Sequence, residues 1–163
     1  MLQKLIERRQ KGNEEGFTLI ELMVVVLIIA ILLAIAIPSF LGARGKAQDR
    51  AAQSNARNAL TAEKTYYVDN QAYGSDVALT AANIEPSLTY VNAAIPAKGS
   101  KEVFVAVSQT TVAGDTVILG AQSASGKCYY LKDVAGNPGT NWATDTTCIA
   151  DPSGKTFTGS QPA

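Results

Sequence analysis

The apolar residues of the chain are concentrated near its N-terminus. Residues 1–16 are polar, and residues 17–37 form an apolar run in which Glu21 is the one charged side chain. As a helix, this run would rise about 31 Å, which is enough to cross the hydrocarbon core of a bilayer. The pattern therefore predicts a membrane-spanning helix over residues 17–37. The basic residues of the preceding segment favour a cytoplasmic N-terminus.

The segment after the apolar run predicts an interruption of this helix. Pro38 cannot donate a backbone hydrogen bond, and Gly42 and Gly45 have poor helix propensity. We therefore expect a kink or a locally unwound stretch over residues 37–45. The alternative is that the helix ends at Pro38.

Residues 46–69 regain a helical composition. Ala52, Ala56 and Leu60 recur at four-residue spacing and form a narrow stripe of mostly small side chains. Such a stripe allows a close approach between helices. We expect part of it to pack against the globular part of the same chain.

The remainder of the chain predicts a small α+β head. Residues 71–99 lack sustained periodicity, which favours a connecting loop with one short helical turn near residues 79–84. Three runs rich in β-branched and aromatic residues predict strands, at residues 101–107, 116–121 and 127–131. We expect an antiparallel sheet of three or four strands, packed on the second half of the helix. Glycine, asparagine and proline after Leu131 predict a loop-rich tail.

Composition and charge argue against several functions. The 14 basic and 14 acidic residues cancel, so DNA binding stays possible through a local surface but is not indicated. The chain has no histidine, the commonest general base and a common metal ligand. We find no nucleophile and base pair, metal cluster or phosphate loop, and therefore expect neither an enzyme nor a cofactor. In an exported chain, Cys128 and Cys148 indicate one disulfide rather than a metal site or free thiols.

A short motif stands where the polar segment meets the apolar run. It reads GFTLIE, from Gly16 to Glu21, and closely resembles the processing motif of type IV prepilins. The resemblance implies that a prepilin peptidase cuts between Gly16 and Phe17 and that the new amine of Phe17 is methylated. It also implies the pilin fold, in which the second half of a long N-terminal helix packs on a small antiparallel sheet.

The resemblance also implies a partner for Glu21. A carboxylate in an apolar membrane helix is costly and usually has a specific partner. Cleavage would create a cationic amine at Phe17, and Glu21 of a neighbouring subunit would neutralise it. A misplaced subunit would leave a buried charge unpaired, so this pairing would set the register of assembly. The alternative is that Glu21 lies near the membrane surface and reaches water.

The resemblance extends more weakly beyond the motif. Tyr66, Tyr67 and Tyr73 resemble the aromatic segment that closes the helix in many pilins, and we expect them to cap the core of the head. The two cysteines resemble a C-terminal disulfide loop, with Trp142 in its small core. The implied organisation is a leader over residues 1–16, a filament-core helix over 17–37, the second half of the helix over 38–70 and a head over 71–163.

The function implied by the resemblance is that of a major pilin. Such a subunit polymerises with its own kind into a surface filament for adhesion, motility or DNA uptake. Its partners would be the prepilin peptidase and methylase, an assembly ATPase and an inner-membrane platform. It would cross the cytoplasmic membrane once before assembly and become extracellular afterwards.

Three alternatives remain for the sequence. The first is a pseudopilin of a type II secretion-like system, or a minor pilin. The second is a single-pass anchored binding domain that never polymerises. The third is a conventional secretory signal cut near residues 34–36, in which Glu21 would be unusual.

Overall fold

A computed structural model describes residues 16–92, 95–108, 115–149, 152 and 154–159. The chain divides into two compact units, residues 1–42 and residues 43–163. In the first unit, the described residues after Thr18 are all helical. The second unit contains the rest of this helix, a short helix and a sheet, and we call it the head.

Helix α1 extends over Leu19–Asn70 and has 52 residues. Gln71, in the left-handed region with φ 55°, follows its last residue. Pro38 lies inside α1, so the alternative in which the helix ends there is wrong. The predicted kink around Pro38 stays a prediction, because helical assignment alone does not exclude a bend at a proline.

The remaining elements lie in the head. Their bounds are α2 Asp76–Ala82, β1 Thr89–Val91, β2 Glu102–Ser108, β3 Thr116–Gln122, β4 Cys128–Val134 and β5 Asn137–Asp145. Within the described residues, the strands form one sheet in the order β1-β2-β3-β4-β5. The pairs β2–β3, β3–β4 and β4–β5 are antiparallel, whereas β1 pairs with β2 in parallel. The α+β class is confirmed, but the sheet is larger than predicted and mixed.

Strand β1 and helix α2 occupy the segment predicted as a loop. Three residues are too few to produce a visible period, which is why the pattern did not indicate β1. The predicted helical turn is a helix that starts three residues earlier. It begins at Asp76 because the hydroxyl of Ser75 accepts a hydrogen bond from the N–H of Ala78 at 3.3 Å. Asn83, with φ 50°, ends it.

The predicted loop-rich tail is wrong for residues 137–145, which form β5. Val134 pairs with Asn137, so Ala135 and Gly136 make a two-residue hairpin turn, and Gly136 has φ 80°. Position 138 is a proline, which is tolerated because β5 lies at the edge of the sheet. The turn residues were recognised correctly, but the strand after them was not.

One face of the sheet packs on α1. From the helix come small side chains, and from the strands come branched and aromatic ones, which together form the core. Its helical members include Ala52, Ala56, Ala59 and Leu60, and its strand members include Val105, Leu119, Leu131 and Trp142. Arg57 lies over the Trp142 ring, 5.5 Å from its centroid. Trp142 is thus a core residue, as expected.

The other face of the sheet is covered by the C-terminal segment. Tyr130 donates to the carbonyl oxygen of Ile149 at 3.2 Å and accepts from its N–H at 2.9 Å. Lys155 lies over the Tyr130 ring and forms an ion pair with Asp145. A disulfide joins Cys128 to Cys148. This cover explains why β3 and β4 are buried on both faces.

Asp49 fastens the β3–β4 turn to α1. Its carboxylate accepts hydrogen bonds from the hydroxyls of Ser123 and Ser125 and forms an ion pair with Lys127 at 3.1 Å. Burial alone would raise the pKa of Asp49, but these donors lower it to about 2. The carboxylate therefore stays charged at neutral pH.

Glu63 is a buried acid inside the head. It is fully buried, and its Oε2 accepts the N–H of Gly74 at 2.9 Å. Its Oε1 and the hydroxyl of Tyr90 are buried, and neither has a hydrogen-bond partner among the described residues. Burial raises the pKa of Glu63 to about 7, and the Gly74 N–H opposes this only in part.

The disulfide predicts that Cys148→Ser lowers the stability of the head. Opening a cross-link between residues 20 apart in sequence should cost about 3 kcal/mol by the chain-entropy estimate. The measurement is guanidinium unfolding and trypsin resistance of the full chain in detergent, with Thr147→Ser as the matched neighbour control. Unchanged protease resistance would contradict the prediction.

From the raised pKa of Glu63, we expect the head to lose stability as the pH rises. The folded pKa of about 7 exceeds the ordinary value of 4.5, so the folded state holds the proton more tightly. The contribution of Glu63 to stability should be fully present below about pH 4.5 and should fall by up to about 3 kcal/mol as the pH rises through 7.

The variant Glu63→Gln tests this dependence. Glutamine keeps an acceptor for the Gly74 N–H but has no proton to lose. We expect unfolding free energies of the variant to be nearly constant between pH 5 and about pH 8, whereas Glu85→Gln should retain the wild-type slope. An equal slope in Glu63→Gln and wild type would refute the assignment.

Candidate assembly site at the start of the apolar helix

Helix α1 begins with a capping box formed by Thr18 and Glu21. The backbone N–H of Thr18 donates to Oε2 of Glu21 at 2.9 Å, and the Thr18 hydroxyl donates to the same oxygen at 2.7 Å. In return, the N–H of Glu21 donates to Oγ1 of Thr18 at 3.3 Å. These bonds satisfy N–H groups that a first helical turn leaves without partners.

The role of Thr18 was not predicted from the sequence. The predicted partners of Glu21 were water or a neighbouring subunit, but Thr18 of the same chain already supplies one. The signal was present, since Thr-x-x-Glu directly before an apolar run is the pattern of a capping box. Glu21 therefore has a structural role at the helix start, where a negative charge also interacts favourably with the helix dipole.

The capping box uses one oxygen of the Glu21 carboxylate. Both bonds from Thr18 reach Oε2, and no hydrogen bond to Oε1 is found among the described residues. The side chain is exposed. Oε1 is thus free to accept from a cation outside the chain while the capping box stays intact.

The first half of α1 exposes its apolar side chains. Phe17 is 77% exposed, Leu19 75% and Ile35 71%, although such residues are usually buried in a soluble protein. The helix contains a stretch that is long and apolar enough to cross a membrane, and the residues that the structure describes bury none of it. This continuous surface needs a lipid or protein environment.

The other residues predicted as sites lie elsewhere. Gly16 directly precedes Phe17, whereas Pro38, Gly42 and Gly45 lie further along α1. The disulfide lies in the head, where the two cysteine Cα atoms are 5.4 Å apart. Across the parts of the chain that the structure describes, no group of three acidic or cysteine side chains could hold a metal ion.

Comparison with known families and proteins agrees with the motif. Residues 9–37 match the family described as the prokaryotic N-terminal methylation motif. The type IV major pilin protein PilE of Neisseria gonorrhoeae is 31% identical over 152 residues, which cover 86% of this chain and 85% of that protein.

Two further relatives match over shorter regions. The type IV wide pilus major component PilA4 of Thermus thermophilus is 44% identical over 66 residues, 40% of this chain and 50% of that protein. The type II secretion system core protein G of Aeromonas hydrophila is 38% identical over 64 residues, 39% of this chain and 45% of that protein. The chain thus matches half or less of the length of these two relatives. No solved structure matches the chain.

The methylation motif, the exposed apolar helix and the nearly full-length similarity to a pilin all agree. They identify a structural subunit rather than an enzyme. The chain belongs to the type IV pilin family.

Proposed function

We propose that this chain is the major subunit of a type IV pilus and polymerises through the first half of α1. The observation that carries the proposal is the uncovered apolar surface of residues 17–37, which begins with a carboxylate at Glu21. In this proposal residues 1–16 are a leader removed by a prepilin peptidase after Gly16. Residues 38–70 continue the helix, and residues 71–163 complete the head on the filament surface.

The pairing of Phe17 with Glu21 gives the polymer its register. Cleavage leaves a cationic amine on Phe17, which is then methylated. Oε1 of Glu21 on a neighbouring subunit accepts a hydrogen bond from this amine. Both charges would lie among apolar helices, where desolvation offsets much of their attraction. A subunit shifted by one helical turn would leave both charges buried and unpaired, and this costs more free energy than burying them as a pair.

Assembly transfers the apolar segment from lipid into a bundle of helices. Hydrophobicity does not favour either environment, so packing and the charge pair must direct the step together with an external motor. The partners are therefore an assembly ATPase and an inner-membrane platform, in addition to the peptidase and methylase. The subunit crosses the cytoplasmic membrane once before assembly and is extracellular afterwards.

Pro38, Gly42 and Gly45 supply the bend proposed for α1. A Cβ added at Gly42 or Gly45 would meet nothing within 4 Å among the described residues, so packing within that part of the chain does not require these glycines. Their small size leaves room for the backbone of a neighbouring helix. Local bending there would let the apolar half adapt to the bundle.

The second candidate function is a pseudopilin of a secretion system. It is favoured by the match to the type II secretion protein, which covers 39% of this chain. The match to the gonococcal pilin covers 86% and thus includes most of the head. Since the head is where members of one family differ, the wider match favours a pilus. A major pilin should be abundant in long surface filaments, unlike a pseudopilin, a minor pilin or an anchored binding domain.

Mass spectrometry of sheared surface filaments tests the proposed processing. The expected subunit begins at Phe17 and carries one additional methyl group on its amine. A chain that keeps residues 1–16, or one cut near residues 34–36, would refute the proposal. Absence of the chain from an abundant filament fraction would favour the pseudopilin.

Variants at Glu21 and Thr18 separate the charge from the capping box. Glu21→Gln keeps an acceptor for Thr18 but loses the charge, whereas Thr18→Ala keeps the charge but loses the hydroxyl. We expect both proteins to reach the membrane in normal amounts. Glu21→Gln, like Glu21→Ala, should form few filaments, and Thr18→Ala should form them at near wild-type numbers.

Filaments are counted by electron microscopy, and membrane levels are measured by immunoblot. Wild-type filament numbers from Glu21→Gln would show that the charge is not needed. A defect of Thr18→Ala as large as that of Glu21→Gln would show that filament formation also requires the Thr18 hydroxyl of the capping box, and not the charge of Glu21 alone.

A further inference from the structure

Six exposed basic side chains gather at one end of the head. Three come from the first turns of α1 in this unit and three from loops of the sheet: Arg44, Lys46, Arg50, Lys98, Lys101 and Lys127. We call them the basic patch. The net charge of zero for the whole chain conceals it.

Contacts with α1 place the two loops at the same end of the head. The β3–β4 turn is held at Asp49 through Ser123, Ser125 and Lys127. The loop before β2 is joined to the helix by Asn55, whose amide donates to the carbonyl oxygen of Ser100 at 3.4 Å. The loops also touch each other, because Gly99 donates its N–H to Gln122 at 3.2 Å.

Few acidic groups balance the basic patch. Asp49 is buried and already binds two hydroxyls and Lys127. Glu102 accepts a hydrogen bond from the N–H of Ala97 at 2.6 Å, and Glu85 accepts one from the N–H of Ser87 at 3.3 Å. Within the described residues, no ion pair joins the other five cations of the patch to an acid. Their charge is therefore available to an anionic partner.

The sequence limits where the basic patch can lie relative to a membrane. Arg44 follows Ile37 by seven residues, which span about 10 Å as a helix and at most about 25 Å when fully extended. Residues 37–44 are helical, so if residues 17–37 cross the bilayer, Arg44 follows Ile37 by about 10 Å along the helix and lies near the outer headgroups. Basic side chains at this distance are attracted to anionic lipids.

We propose that the basic patch binds the headgroups of anionic phospholipids on the outer leaflet of the cytoplasmic membrane before assembly. This inference rests on the membrane anchoring in the proposed function. Lys98, Lys101 and Lys127 approach the surface from loops, and Arg44, Lys46 and Arg50 from the helix. The contact holds the head on the membrane, and extraction of the subunit into a filament breaks it.

Hydrogen exchange of the full chain in lipid nanodiscs tests the proposal. One preparation contains phosphatidylcholine alone, and the other contains phosphatidylcholine with phosphatidylglycerol. In the anionic nanodiscs, amides of residues 95–102 and 123–128 should exchange several-fold more slowly, and added salt should remove the difference. Equal exchange in the two lipids would overturn the proposal. Failure of the chain to insert into either nanodisc would instead contradict the anchoring itself.

Two charge reversals form a matched pair of variants. Lys98→Glu changes the basic patch, whereas Lys132→Glu makes the same change on β4, where Lys132 lies over the Phe157 ring. The lipid dependence should be lost in Lys98→Glu and kept in Lys132→Glu. Equal loss in both variants would overturn the proposal, because it would indicate a response to net charge alone. Slower exchange of the same loops with double-stranded DNA but not with anionic lipid would also overturn it.

Discussion

The apolar side chains that α1 leaves uncovered constrain everything else about this protein. The large apolar side chains between Phe17 and Leu41 are exposed, and no described part of the chain covers them. Such a surface is stable only in lipid or against other apolar helices. A subunit that moves between these two environments gains little hydrophobic free energy from the transfer. Polar groups on the helix and the packing of small residues must therefore decide where it stops.

Glu21 is able to pair with another subunit because only one of its two oxygens is hydrogen-bonded within the described part of the chain. Oε2 completes the capping box with Thr18, which fixes the start of α1 and positions the carboxylate. Oε1 has no partner among the described residues and remains open to an amine from another chain. A carboxylate held by a capping box loses little further side-chain entropy on pairing. The Glu21 side chain can therefore cap the helix and, as proposed, also pair with the amine of another subunit to set the register of assembly.

Most features that the sequence predicted depend on local patterns, and most that it missed depend on tertiary context. The capping box of Thr18 and Glu21 is the exception, because its pattern is local and was nevertheless missed. The apolar run, the motif from Gly16 to Glu21 and strands β2, β3 and β4 each produce a local pattern, and so they could be predicted. Strand β1 has three residues and exists because it pairs with β2, with Thr89 opposite Glu102 and the Thr89 N–H donating to the carbonyl oxygen of Lys101. The buried state of Glu63 was equally hidden, since acids in helices usually face water. Only packing of the sheet on α1 gives this position its raised pKa.

The C-terminal segment of the head covers the apolar face of the sheet that α1 leaves open. Strands β3 and β4 are apolar on both faces, but α1 covers only one of them. On the other face, Gly120 leaves room for the Tyr130 ring, because a Cβ there would approach the ring to 2.9 Å. The hydroxyl of Tyr130 then fixes Ile149, next to the disulfide. If the bond did not form, this face could separate from its cover and expose apolar strands. If the chain is the proposed pilus subunit, oxidation of the cysteines should therefore precede assembly, so that both faces of the sheet are closed before subunits join.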